Sequence, residues 1–89
     1  MAQNGLTLTV GKLTFTGQYL KQVVSVKNET TNAIRLMKIE CGFFHEGQLI
    51  AANSGYLENL APGSSGFTEI LTQSSVSADR AQCRIVEAP

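Results

Sequence analysis

Cys41 and His45 lie within the stretch IECGFFHEG, residues 39 to 47, where a thiol, two aromatic rings, the chain's single histidine and two carboxylates crowd together. A thiol activated by an imidazole needs the two heteroatoms roughly 2.6 to 3.2 Å apart. The surrounding alternation of apolar and polar residues reads as a strand. At ~3.3 Å per residue Cys41 and His45 would then share one side about 13 Å apart. They cannot meet unless the chain reverses sharply, so His45 reads as a solvated turn residue. Zinc is no better served, because a structural site takes about four ligands and this chain has two cysteines, one histidine and no Cys-x-x-Cys pair. Gly63-Ser64-Ser65-Gly66 precedes a strand and lacks the helix amino terminus that gives a phosphate loop its free N–H groups. Asn28-Glu29-Thr30 has the form of a glycosylation acceptor in a turn. There is no G-x-S-x-G and no pair of carboxylates at catalytic spacing. These residues predict a protein without catalytic, metal or cofactor sites.

Size and charge narrow the class. Eighty-nine residues make one domain, 1–89, and a chain this short leaves roughly a third of its unfolded surface in water. Seven basic side chains cancel seven acidic ones. A neutral chain with no basic stripe beside its aromatics is a poor ligand for phosphates, which argues against nucleic acid. No apolar run approaches the ~20 residues of a spanning helix. MAQNG has no charged segment leading into an apolar one, so no signal peptide is expected in the chain as it stands. Ala2-Gln3 is the kind of start left by a signal peptidase, with Met1 then a start codon added for expression, but a plain cytosolic start reads the same.

The elements that would position these residues are strands. Leu6, Leu8 and Val10 alternate in LTLTV, and after Gly11-Lys12 a second run, LTFTG, is closed by Gly17. In YLKQVVSVKN, Leu20, Val24 and Val26 share one face and Lys21, Ser25 and Lys27 the other. NETTN, 28–32, is a polar turn. The longest strand is expected from about Ala33 to His45, with Met37, Ile39, Cys41 and Phe43 facing the core. Glu46-Gly47-Gln48 then links it to Leu49–Ala52 as a hairpin. NSG, 53–55, is expected to interrupt the next segment, leaving YLENL as a short strand. Pro62-Gly63 suits the centre of a type II turn. Phe67–Leu71 and Arg80–Glu87 are the last strands, joined by TQSSVSAD, and Asp79-Arg80 reads as a surface turn pair. Seven or eight strands at roughly ten-residue spacing predict an all-β, antiparallel two-sheet sandwich, with a small barrel as the other solution.

Two features of this layout bear on function. In RAQCRIV either face can be inward; if Ala81, Cys83 and Ile85 point in, Cys83 meets the same core as Cys41. A Cys41–Cys83 disulfide would close a loop of about 43 residues and contribute roughly 4 kcal/mol in the chain-entropy view. Two buried free thiols acting as small apolar residues fit the same pattern in a reducing compartment. On the opposite face of the long strand, Leu36 and Phe44 stand beside Lys38 and Glu40, a candidate surface for a protein partner.

From Val24 to Phe67 the order of parts resembles the FxLYD-type immunoglobulin-like domains of bacterial envelope and secreted proteins. The matching parts are Val26 before Asn28 and a polar turn, a long alternating strand entering a turn at Gly47, and Leu60-Ala61-Pro62-Gly63 leading to Phe67. Cys41-Gly42-Phe43-Phe44-His45 stands where the name motif would fall, with a cysteine for its first aromatic and a histidine for its aspartate. The resemblance implies an immunoglobulin-like sandwich of about seven strands and export to a periplasm or cell exterior, and export favours the disulfide. It implies an accessory or protein-binding module, not an enzyme. The competing expectations are a small cytosolic regulatory or interaction domain, with both thiols free, and a thiol-dependent redox protein using Cys41 or Cys83.

Overall fold

The structure, a computed structural model, describes residues 2–3 and 5–87; the question of Met1 lies outside the described residues. Seven strands follow one another: β1 (Ala2–Gln3), β2 (Leu6–Phe15), β3 (Tyr19–Asn28), β4 (Ile34–His45), β5 (Gln48–Leu60), β6 (Ser65–Gln73) and β7 (Arg80–Glu87). They form two antiparallel sheets in the orders β1-β2-β3-β6 and β5-β4-β7. Each sheet is three long strands, and the two-residue β1 extends the first. The pairing of β3 with β6 and of β4 with β7 is that of strands B with E and C with F in an immunoglobulin-like sandwich.

Period-two alternation sets which side of each strand goes in. Leu6 and Leu8 of β2, Leu20, Val24 and Val26 of β3, Met37, Ile39, Cys41 and Phe43 of β4, Leu57 and Leu60 of β5, Ile70 of β6 and Ile85 of β7 form one buried core between the sheets. Ala81, Cys83 and Ile85 are the inward positions of β7, so the orientation left open by the sequence is settled in favour of a shared core with Cys41.

Two expected breaks are absent, for different reasons. LTLTV and LTFTG form one strand, in which Gly11 and Lys12 make a β-bulge between the pairs Val10–Val24 and Leu13–Gln22. Gln22 is buried on the core face of β3 and its amide donates to Gly11 O (2.9 Å), Lys12 O (3.3 Å) and Val23 O (2.8 Å), satisfying carbonyls that the bulge displaces from the ladder. NSG does not interrupt β5, since Asn53, Ser54 and Gly55 pair with Cys41, Glu40 and Ile39 of β4. The glycine there answers a close approach: a Cβ on Gly55 would sit 3.1 Å from Ile70 of β6. With this segment continuous, β5 at 13 residues exceeds the 12 of β4, so the longest strand is not the one the alternation predicts.

The predicted turns form as their chemistry requires. Pro62-Gly63 is closed by Ser64 N donating to Ala61 O at 3.1 Å, with Gly63 at φ 80°. The β4–β5 link is the two residues Glu46 (φ 50°) and Gly47 (φ 82°), since His45 already faces Gln48. Two successive positive φ values are the mark of a type I′ hairpin turn. Gly47→Ala should therefore cost about 1 to 2 kcal/mol from the left-handed backbone alone. A variant whose urea midpoint matches the parent would contradict this.

Candidate binding surface

β4 runs without interruption from Ile34 to His45, so Cys41 and His45 remain separated along extended backbone. Cys41 and Cys83 face one another across the β4–β7 ladder, with Cα atoms 4.1 Å apart, and their sulfurs are bonded. The disulfide links neighbouring strands of one sheet, unlike the sheet-to-sheet bridge of antibody domains. Cys41 is fully buried and Cys83 half-buried. In this state neither sulfur is a thiolate, the form that attacks or ligates.

His45 lies at the hairpin end, half-buried, with Nε2 3.8 Å from Glu46 Oε1. Asp79-Arg80 does more than make a surface turn. Asp79 Oδ2 accepts from Glu46 N at 2.9 Å and Asp79 N donates to Phe44 O at 2.9 Å, stitching the entry to β7 onto the β4–β5 hairpin. Arg80 then lays its guanidinium over the Phe44 ring, 4.2 Å from the centroid. Alternation alone predicts an exposed Phe44; the ring is instead half-buried beneath this cation, a contact worth roughly 0.5 to 1 kcal/mol at an exposed site.

The other predicted surface residues share the outward face of β5-β4-β7. Leu36 is 42 % exposed and faces Glu58. Lys38 lies between Tyr56 and Glu87, and Glu40 between Ser54 and Arg84, with Arg84 donating to Glu40 Oε1 at 3.1 Å. Gly42 lies between Ala52 and Gln82, and Phe44 between Leu49 and Arg80. The face thus carries an apolar end around Leu36 and Tyr56 and another around Phe44 and Leu49, separated by the Glu40–Arg84 pair and a shallow strip of small residues. The opposite sheet also has an outward apolar group that the sequence reading did not single out: Phe67, Leu71 and Tyr19 are exposed around a Lys21–Glu69 ion pair of 3.5 Å.

The glycosylation reading of Asn28 fails on burial. Asn28 is fully buried, and its side-chain nitrogen donates to Asn32 O (2.9 Å) and Leu60 O (3.0 Å). An amide nitrogen so enclosed cannot accept a glycan in the folded chain. Gly63 N, in the glycine-serine stretch, donates to Asn28 O, which commits that N–H to the fold. Sequence reading missed the structural parts played by Gln22 and Asn28. The available signal was parity: both occupy even positions, in step with Leu20, Val24 and Val26.

Among the described residues no group of three or more His, Cys, Asp or Glu side chains is placed to hold a metal ion, and no helix is long and apolar enough to cross a membrane. No family model, curated protein or solved structure matches the chain.

Proposed function

We propose that this chain is a non-enzymatic accessory module, exported to a periplasm or cell exterior, that binds another protein through the outward face of β5-β4-β7. The observation that carries the binding reading is the concentration of exposed apolar side chains there: Leu36, Leu49, Tyr56 and Val86 are 39 to 60 % exposed, with Phe44 held flat among them by Arg80. Aromatic and aliphatic anchors ringed by charges are what protein interfaces use. Export is supported by the Cys41–Cys83 disulfide, since such bonds persist in oxidising compartments, and by the resemblance to FxLYD-type domains.

The test is a paired one. Protein recovered from an oxidising compartment should take up alkylating reagent only after reduction. Leu36→Lys, opposite Glu58, and Tyr56→Glu, opposite Lys38, both at exposed positions, should leave the stability from urea unfolding within about 0.5 kcal/mol and weaken a natural partner's binding at least tenfold. Thiols that label without reduction would refute export, and a partner whose affinity ignores both substitutions would refute this surface.

A further inference from the structure

Beside this face lies the edge of its sheet. β7 ends the order β5-β4-β7, and no strand lies beyond it among the described residues. The two seams of the sandwich differ. Where β5 meets β6, the inward side chains Leu57, Leu60 and Ile70 are at most 9 % exposed, and Asn53 of β5 caps the β6 edge by donating to Leu71 O at 2.8 Å. Where β2 meets β7, Val10 is 41 % exposed although it faces core residue Val24, and Ala81 and Cys83 are only half-buried on the inward side of β7. A hollow of about 620 Å³ straddles the β7 edge, with Val10, Ala81 and Cys83 on its inward side and Gly42, Gln82 and Arg84 of the outward face on the other.

We infer that the β7 edge is a strand-acceptor site, filled by an extended segment of another protein that pairs with Arg80–Glu87 as an added strand. This rests on the reading of the chain as a protein-binding module and specifies how it binds. A free sheet edge is a row of unpaired N–H and C=O groups, which another extended backbone satisfies. Alternation dictates the chemistry of that segment. Side chains on its inward positions would cover Val10, Ala81 and Cys83, so they are small and aliphatic. Those on its outward positions would lie beside Arg80, Gln82 and Arg84, so they are acidic. In a second copy of β7, the in-phase antiparallel register centred on Gln82 sets Arg80 opposite Arg84, and like charges across a ladder repel, which an acidic segment avoids.

The experiment uses the oxidised full chain and two blocked octapeptides, one alternating valine with glutamate, the other valine with lysine, with amide exchange and amide chemical shifts as readouts. The valine–glutamate peptide should slow exchange of the outward-pointing amides of residues 80–87 at least tenfold and shift Val10. The valine–lysine peptide should bind more weakly. Arg80→Glu with Arg84→Glu, at exposed positions, should lower affinity for the glutamate peptide by about 3- to 20-fold and reverse the preference. Arg84→Glu alone, which leaves the Phe44 stack in place, should shift it the same way by a smaller factor. Unchanged exchange at 80–87 with millimolar peptide, or equal protection by both peptides, would overturn the edge assignment. Shifts confined to Leu36, Tyr56 and Leu49 would also overturn it while leaving the sheet face as the binding surface.

Discussion

Reduction of the Cys41–Cys83 disulfide is expected to lower stability by about 4 kcal/mol, the chain-entropy value for a loop with a sequence separation of 42. The size of the effect relative to the whole is what matters. A domain of 89 residues has a total stability of about 4 to 13 kcal/mol, so this bond decides between a robust fold and a marginal one. In thermal unfolding the loss corresponds to roughly 15 to 30 °C. The strand released is β7, which pairs only with β4 among the described strands and contributes one buried core side chain, Ile85. The double substitution Cys41→Ala with Cys83→Ala should reproduce the loss without leaving reactive thiols. Exchange of the β7 amides should rise before that of β3, which is flanked by strands on both sides. A reduced chain less than about 1 kcal/mol below the oxidised one would contradict the loop-closure account.

Asn28→Leu is expected to cost about 3 to 5 kcal/mol, close to the effect of losing the disulfide, although the new side chain is apolar and similar in size. Every hydrogen-bonding capacity of the Asn28 amide is used. Its nitrogen serves Asn32 O and Leu60 O, and Oδ1 accepts from Thr30 N at 3.0 Å and Thr30 Oγ1 at 2.6 Å. Its backbone closes the same junction, with Asn28 N donating to Ser64 O (2.9 Å) and Asn28 O accepting from Gly63 N (2.6 Å). One buried residue thus ties the end of β3, the turn before β4 and the Pro62-Gly63 turn before β6. Leucine would leave at least the Leu60 carbonyl enclosed without a donor, and an orphaned buried group costs about 1 to 3 kcal/mol. Asn28→Asp should be worse still near neutral pH, because it places a second acceptor and a charge against two carbonyls. Thr30→Val, removing one partner at a partly exposed position, should cost only about 1 kcal/mol. The check is the urea midpoint with the slope unchanged; an Asn28→Leu loss no larger than that of Thr30→Val would refute the clamp.

Both effects come from groups whose partners are remote in sequence, and this divides what was legible from what was not. Strand existence, the core face of β4 from Met37 to Phe43, and the turns at Glu46-Gly47 and Pro62-Gly63 depend on period-two alternation and on φ preferences, which are properties of neighbouring residues. They could be read directly. Gly11-Lys12 and Asn53-Ser54-Gly55 carry the same local turn chemistry, yet Gln22 turns the first into a bulge and the approach of Ile70 makes the second a packing contact. No local pattern distinguishes those outcomes, because the deciding atoms belong to another strand. The same holds for Phe44, exposed by parity and covered by Arg80; parity did point Asn28 inward, but the Leu60 carbonyl that its amide satisfies belongs to another strand.

By itself the sequence determined an all-β sandwich, its inward residues and two cysteines able to share a core. The tertiary structure alone decided that β7 lies beside β4 and orients Cys83 toward Cys41, that Asn28 is a clamp, and that the seam between β2 and β7 stays open. Alternation specifies a face for each strand, but its neighbours follow from how distant hydrogen-bonding groups and apolar faces are satisfied together.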